Sequence, residues 1–188
     1  MLRRDVRMLG FELGRVLQAH GGPELYDRVE RAQALAKAYR GGEAGALEEL
    51  KALIAGCSVA ELDEVVRALS VFFDLMNLSE DRHRVRVLRD RERELHPRPR
   101  KESIGAAIQA MREEHGLSEE RIRELFEQLD IELVFTAHPT EAKRVTVRNT
   151  LRRLRSDLIE MERKELLPRE REALLTQVKN GLACLWET

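Results

Sequence analysis

The sequence predicts a mainly α-helical protein with a single strand near residues 131–137, and three observations predict it. Apolar residues recur at three- and four-residue intervals through most of the chain, which is the helical period. Those stripes are punctuated by glycine, proline and Ser/Glu capping pairs, the ordinary stops and starts of helices. One run alone breaks the pattern: Leu133-Val-Phe-Thr136 gathers β-formers and leads into His138-Pro139, where the proline denies the histidine the helical region. A hydrophobic content of 43% with only 4% aromatic residues fits Leu/Ala/Val packing between helices, in one good core or two small ones.

Each element follows from local signals. Residues 5–19 carry Val6, Leu9, Leu13, Val16 and Leu17 on one helical face, stopped by Gly21-Gly22. Pro23 opens a second helix, which runs through Tyr26, Val29, Ala32 and Leu35 to Gly41-Gly42. A shorter helix over 46–53 closes at Gly56. Ser58 with Glu61 forms a capping box for the longest helix of the first half, expected to pass Met76 and reach Glu94. His96-Pro-Arg-Pro-Arg100 cannot be helical and reads as an exposed loop. Residues 103–115 and 118–129 form two helices parted by Gly116, and after the strand come helices over 141–166 and from Pro168 onward. By this reading 1–95 is an N-terminal helical region, 96–130 a loop with a helical pair, and 131–188 the strand, the histidine motif and the last helices.

Two features imply that the chain continues into something larger. Leu182-Ala-Cys-Leu-Trp-Glu-Thr188 carries neither a C-cap glycine nor a polar tail, so the last helix is expected to be unfinished. A lone apolar strand leaves its backbone groups without a ladder, so its neighbours are expected elsewhere, as a sheet or barrel that this strand begins.

Charge and cysteine usage narrow the function classes. Lys plus Arg at 33 against Asp plus Glu at 34 gives a formal net charge of −1, so no bulk field recruits nucleic acid or a membrane. Cys57 and Cys184 lie far apart in apolar surroundings without redox or zinc spacing, and are expected to be buried free thiols in a reducing cytoplasm. No apolar run reaches the length of a membrane span, and the expected location is cytoplasmic. The sequence offers no Gly-rich phosphate loop, no Ser/His/Asp arrangement and no clustered metal ligands.

The residues around the strand carry a resemblance. Phe135-Thr-Ala-His-Pro-Thr-Glu141, followed by Lys143-Arg144 and a basic helix, resembles the first active-site signature of the phosphoenolpyruvate carboxylase family. Asp5-Val-Arg-Met-Leu-Gly10 with Gly21-Gly22, and Asp27-Arg-Val-Glu-Arg31 through Ala34-Leu-Ala-Lys37, are similar to that family's first two helices. The segment from Phe72 to Leu78 with His83-Arg-Val-Arg86, and the closing Leu185-Trp-Glu-Thr188, continue the resemblance in order. It implies the helical N-terminal part of a large, helix-rich β/α-barrel lyase, cytoplasmic and homotetrameric, with the rest of the same polypeptide as its partner. Such an enzyme fixes bicarbonate carbon, making oxaloacetate and phosphate from phosphoenolpyruvate with Mg²⁺ or Mn²⁺. The metal carboxylates would lie outside this chain, which by itself is expected to be inactive and to bind no metal.

On this resemblance His138 is the catalytic residue. A histidine just past the C-terminal end of a barrel strand sits on the face where such barrels collect their chemistry, and a neutral imidazole there can take the carboxyl proton of carboxyphosphate. The alternative is a histidine that merely hydrogen-bonds a loop. Pro139 stiffens the backbone, while Thr140 and Glu141 either cap the next helix or support the histidine and substrate. In that helix Arg144 is the candidate substrate-anion contact. Arg148, Arg152 and Arg155 are expected to be a solvated flank pairing with Asp157, Glu160 and Glu162. Val145 departs from the family's usual pair of arginines, which puts sugar-phosphate activation in doubt. A different class stays open: a non-catalytic helical module that binds an anion or a partner.

Overall fold

The computed structural model describes residues 2–134, 142–163 and 165–188. Eight helices run through them: α1 (Leu2–His20), α2 (Gly22–Arg40), α3 (Ala46–Ala55), α4 (Val59–Leu95), α5 (Ile104–Glu113), α6 (Glu119–Glu127), α7 (Val145–Glu160) and α8 (Pro168–Glu187). They fall into two compact units, Met1–Arg82 with Lys143–Thr188, and His83–Ala142.

The first unit is built on the apolar stripes. Leu9, Leu13 and Leu17 of α1 meet Val65, Ala68 and Leu75 of α4, and Leu154, Leu158, Val178 and Leu182 bring α7 and α8 into the same core. Each such aliphatic side chain contributes about 1.5–3 kcal/mol when fully buried. The turn from α1 to α2 needs Gly22, whose φ of 84° lies in the left-handed region that disfavours a side chain. Helix α2 then runs along both α1 and α3, while α8 packs on α1 and α7.

In the second unit α5 and α6 pack together, and each is capped by a serine: Ser103 Oγ accepts from the Ala106 amide at 3.2 Å and Ser118 Oγ from the Arg121 amide at 3.3 Å. Two expectations need correcting. Residues 131–134 form no strand; Leu133 and Val134 are 70% and 82% exposed, because no neighbouring strand among the described residues offers them a ladder. Residues 135–137, the rest of that expected strand, lie outside the described residues. The helix expected over 141–166 is shorter, starting at Val145 and ending at Glu160. At its downstream end the Glu162 and Arg163 amides donate three residues back, to the Ile159 and Glu160 carbonyls, which tightens the last turn and ends the α-helical ladder.

A buried ion network joins three helices of the first unit. Arg82, 4% exposed, donates from Nη1 to Asp5 Oδ2 at 3.0 Å, and from Nη2 to the Leu158 carbonyl at 2.7 Å and Glu162 Oε1 at 2.9 Å. Leu158 carries one of the last carbonyls of α7, which find no acceptor role inside their own helix. The cation therefore satisfies an orphan carbonyl and complements the negative end of the α7 dipole. Arg82→Met removes the hub while keeping most of its volume. Breaking a buried pair in this way is expected to lower unfolding free energy by about 3–5 kcal/mol, read from urea denaturation. A loss below 1 kcal/mol would show that the network is dispensable.

The capping box at α4 forms as expected. The Ser58 amide donates to Glu61 Oε2 at 2.7 Å and the Glu61 amide donates to Ser58 Oγ at 3.3 Å. Arg28 Nη2 of α2 reaches Glu61 Oε1 at 2.6 Å, so one carboxylate caps α4 and ties it to α2. The Ser58 amide and hydroxyl, with Arg28 behind them, hold the Glu61 carboxyl below its ordinary 4.5. A carboxyl depressed by folding adds stability above its unfolded pKa and loses it as pH falls through the folded value. The Tm difference between the parent and Glu61→Gln should therefore be constant near neutrality and shrink below about pH 4.5 in melts run across the acid limb.

Candidate functional site

His138, Pro139, Thr140 and Glu141 lie outside the described residues, so the site is read from its flanks. On the downstream side residues 142–144 are irregular and α7 begins at Val145. Two contacts fasten this edge to the first unit. Lys143 forms an ion pair with Asp74 of α4, and Arg144 Nη1 donates to the Thr188 carbonyl at 2.8 Å. The sequence-predicted anion contact, Arg144, is thus exposed and holds the Thr188 backbone oxygen. Its charge meets no Asp or Glu side chain among the described residues. Val145 follows as an exposed first residue of the helix.

Helix α7 presents two faces. Leu154 and Leu158 are buried, with Val147 and Leu151 packed against the same core, so the predicted apolar stripe is the one that docks. Arg148, Arg152 and Arg155 face solvent, as a solvated flank requires. The pairing expected for them does not form. Glu160 is taken by Arg163 at 2.6 Å and Glu162 by Arg82 at 2.9 Å, because those arginines reach them from the turn after α7 and from the core. Asp157 instead lines a cleft of about 300 Å³ with Arg153, Gln177, Asn180 and Cys184, and burial pushes its carboxyl above the ordinary range. Thr150 Oγ1, also in the lining, lies 3.7 Å from Cys184 Sγ; the cysteines are not buried as expected, since Cys184 is exposed and Cys57 half-buried.

The close approach of α7 and α8 depends on Gly181. A Cβ there would stand 2.8 Å from Leu154 Cδ2 and 3.2 Å from its Cγ, and Leu154 is fully buried. Helix propensity favours alanine over glycine by about 1 kcal/mol, while overpacking a tight core costs about 1–3 kcal/mol. Overpacking is expected to win here, since the added Cβ would press on the branch carbon of the buried Leu154 as well as on its methyl group. Gly181→Ala should therefore lower the urea midpoint, and a raised midpoint would show that α7 and α8 can separate freely.

Sequence reasoning missed Arg82 and Asp5, and a signal for both existed. Asp5 stands four residues before Leu9 on the apolar stripe of α1, and Arg82 stands four after Leu78 on that of α4. Charged residues in register with a core stripe are candidates for a buried pair. No group of three or more His, Cys, Asp or Glu among the described residues could hold a metal ion. No described helix is long and apolar enough to cross a membrane.

A helical scaffold that fastens the trailing edge of a His-Pro motif and sets a cationic helix directly after it is the class defined so far. Comparison with known proteins makes it specific. The family model of phosphoenolpyruvate carboxylase matches residues 2–188. The phosphoenolpyruvate carboxylase of Thermus thermophilus is 37% identical over 204 residues, aligned with 100% of this chain and 24% of its own length. That of Roseiflexus castenholzii is 37% identical over 188 residues, covering 100% of this chain and 20% of the relative. The Acinetobacter baumannii enzyme is 34% identical over 189 residues, with 100% and 21% covered. The chain belongs to the phosphoenolpyruvate carboxylase family, and it spans 20–24% of the length of these relatives.

Proposed function

We propose that the chain serves as the N-terminal segment of a phosphoenolpyruvate carboxylase and contributes His138 to carbon–carbon bond formation. The observation that carries the reading is the family match across residues 2–188, with Phe135-Thr-Ala-His-Pro-Thr-Glu141 inside it. In the proposed reaction bicarbonate oxygen attacks the phosphorus of phosphoenolpyruvate, and the P–O bond to the enol oxygen breaks. Carboxyphosphate and the enolate of pyruvate result. Neutral His138 takes the carboxyl proton, carboxyphosphate breaks to carbon dioxide and phosphate, and the enolate carbon attacks carbon dioxide to give oxaloacetate. The reading includes a cytoplasmic homotetramer, with the barrel built by the remainder of the polypeptide around the 131–137 segment.

Arg144 is the proposed anion contact. Its guanidinium is exposed and pairs with no Asp or Glu side chain among the described residues, so it can turn to a phosphate or carboxylate. Pro139, Thr140 and Glu141 support the histidine. The Mg²⁺ or Mn²⁺ of the family chemistry finds no donor set among the described residues, and none of the steps assigned to this chain runs through it.

The solvent-facing Arg148, Arg152 and Arg155 also fit a second reading, a module that binds an anionic partner without chemistry. Replacing His138 separates the two. In the family-length polypeptide, His138→Asn should reduce oxaloacetate by about 10²–10⁴-fold, the usual cost of losing a general base. Some bicarbonate-dependent release of phosphate and pyruvate should survive, because phosphoryl transfer precedes the proton step. Both products are assayed in one mixture, with and without bicarbonate. Unchanged oxaloacetate would remove His138 from the reaction, and loss of all turnover with the fold intact would move its role to substrate binding or phosphoryl transfer.

A further inference from the structure

Helix α4 carries a second apolar stripe that the core uses only at its edge, where the half-buried Leu69 packs against it. Its buried residues, among them Val65, Ala68, Val71, Leu75 and Leu78, all lie on the side turned to α1 and the rest of the first unit. On the opposite side Val59, Leu62, Val66, Leu69, Phe73 and Met76 follow one another at intervals of three, four, three, four and three. That is the heptad alternation of a coiled-coil seam, with Val59, Val66 and Phe73 at one seam position and Leu62, Leu69 and Met76 at the other. The first three are 85%, 60% and 59% exposed, while the other three are half-buried. Along the outer edge the polar Asp63, Ser70 and Asn77 recur every seventh residue, as at the rim of a helix–helix interface.

We propose that this face of α4 is a docking seam for an amphipathic helix supplied by the part of the family-length polypeptide that this chain does not include. The seam covers residues 59–76, about 27 Å of helix and roughly 270 Å² at a width of about 10 Å. A free partner needs about 800 Å² per side, so this strip alone cannot hold a second molecule. A covalently connected helix is present at millimolar effective concentration and needs far less. The rim charges agree, because they are already committed: Arg67 pairs with Asp63 at 3.1 Å and lies over the Trp186 ring, and Asp74 pairs with Lys143. Few charges remain there to select a second copy and fix its register. The relatives are aligned with this chain over only 20–24% of their length, which leaves ample polypeptide to provide the helix.

The inference rests on family membership and not on the chemistry of His138, so failure of that chemistry leaves it standing. The test is thiol labelling of Val66→Cys and Phe73→Cys in the family-length polypeptide, with Cys57 and Cys184 replaced by serine. Maleimide rates are compared between the native and urea-unfolded protein over a dilution series that dissociates any oligomer. The expected result is labelling at least about 10-fold slower in the native state at every concentration, since a docked helix exposes the seam only by local opening. Protection that disappears on dilution would assign the seam to a second copy and overturn the proposal. Labelling at the unfolded rate throughout would overturn it too, by showing the seam open.

Discussion

The first unit depends on the Arg82 guanidinium, which is buried between Asp5 of α1, the Leu158 carbonyl of α7 and Glu162 just beyond it. An arginine can serve three acceptors because its planar fork offers several fixed donors, and lysine in the same place could not match that geometry. Taking the charges out of water costs much of what their attraction returns. What the network adds is register: α1, α4 and the end of α7 meet at one depth because only there are all three acceptors within hydrogen-bond distance. The apolar stripes, which tolerate sliding by a turn, do not supply that precision.

The network also explains the electrostatics of the α7 surface. Glu162 is drawn to Arg82 and Glu160 to Arg163, so Arg148, Arg152 and Arg155 pair with no acid among the described residues. A chain with almost balanced total charge thus presents a local cationic face immediately after the histidine motif. Lys143–Asp74 and Arg144–Thr188 fix where that face begins, while Gly181 lets α8 approach closely enough to hold it from behind. Position and charge of the candidate site's trailing edge are therefore set by contacts at both ends of α7.

Much of the architecture was legible in the order of residues, and the reasons are local. The Ser58–Glu61 box, the glycines after α1 and α2 and the proline at Pro168 act within one or two turns, so their helices begin and end near where the sequence places them. The stripes of α1 and α7 name the residues that become core, because burial follows helical periodicity whatever the partner is. The heptapeptide together with the similar segments on either side of it carries the family, since they follow one another in order along nearly the whole chain.

What needed the tertiary structure was anything depending on distance along the chain. That α8 packs on both α1 and α7 is a matter of which complementary faces meet, and sequence spacing is silent on that. Asp5 and Arg82 are separated by 77 positions, and nothing local distinguishes their charges from the many that stay in water. The same limit governs the strand. β-propensity marked residues 131–134, but a strand exists only when another backbone accepts its hydrogen bonds, and those residues meet none among the described ones. The sequence by itself thus determined the helices, their inward faces and the family. Only the tertiary structure decided which charges are buried and which arginines are left to act, because partner choice in three dimensions is a competition that no local pattern records.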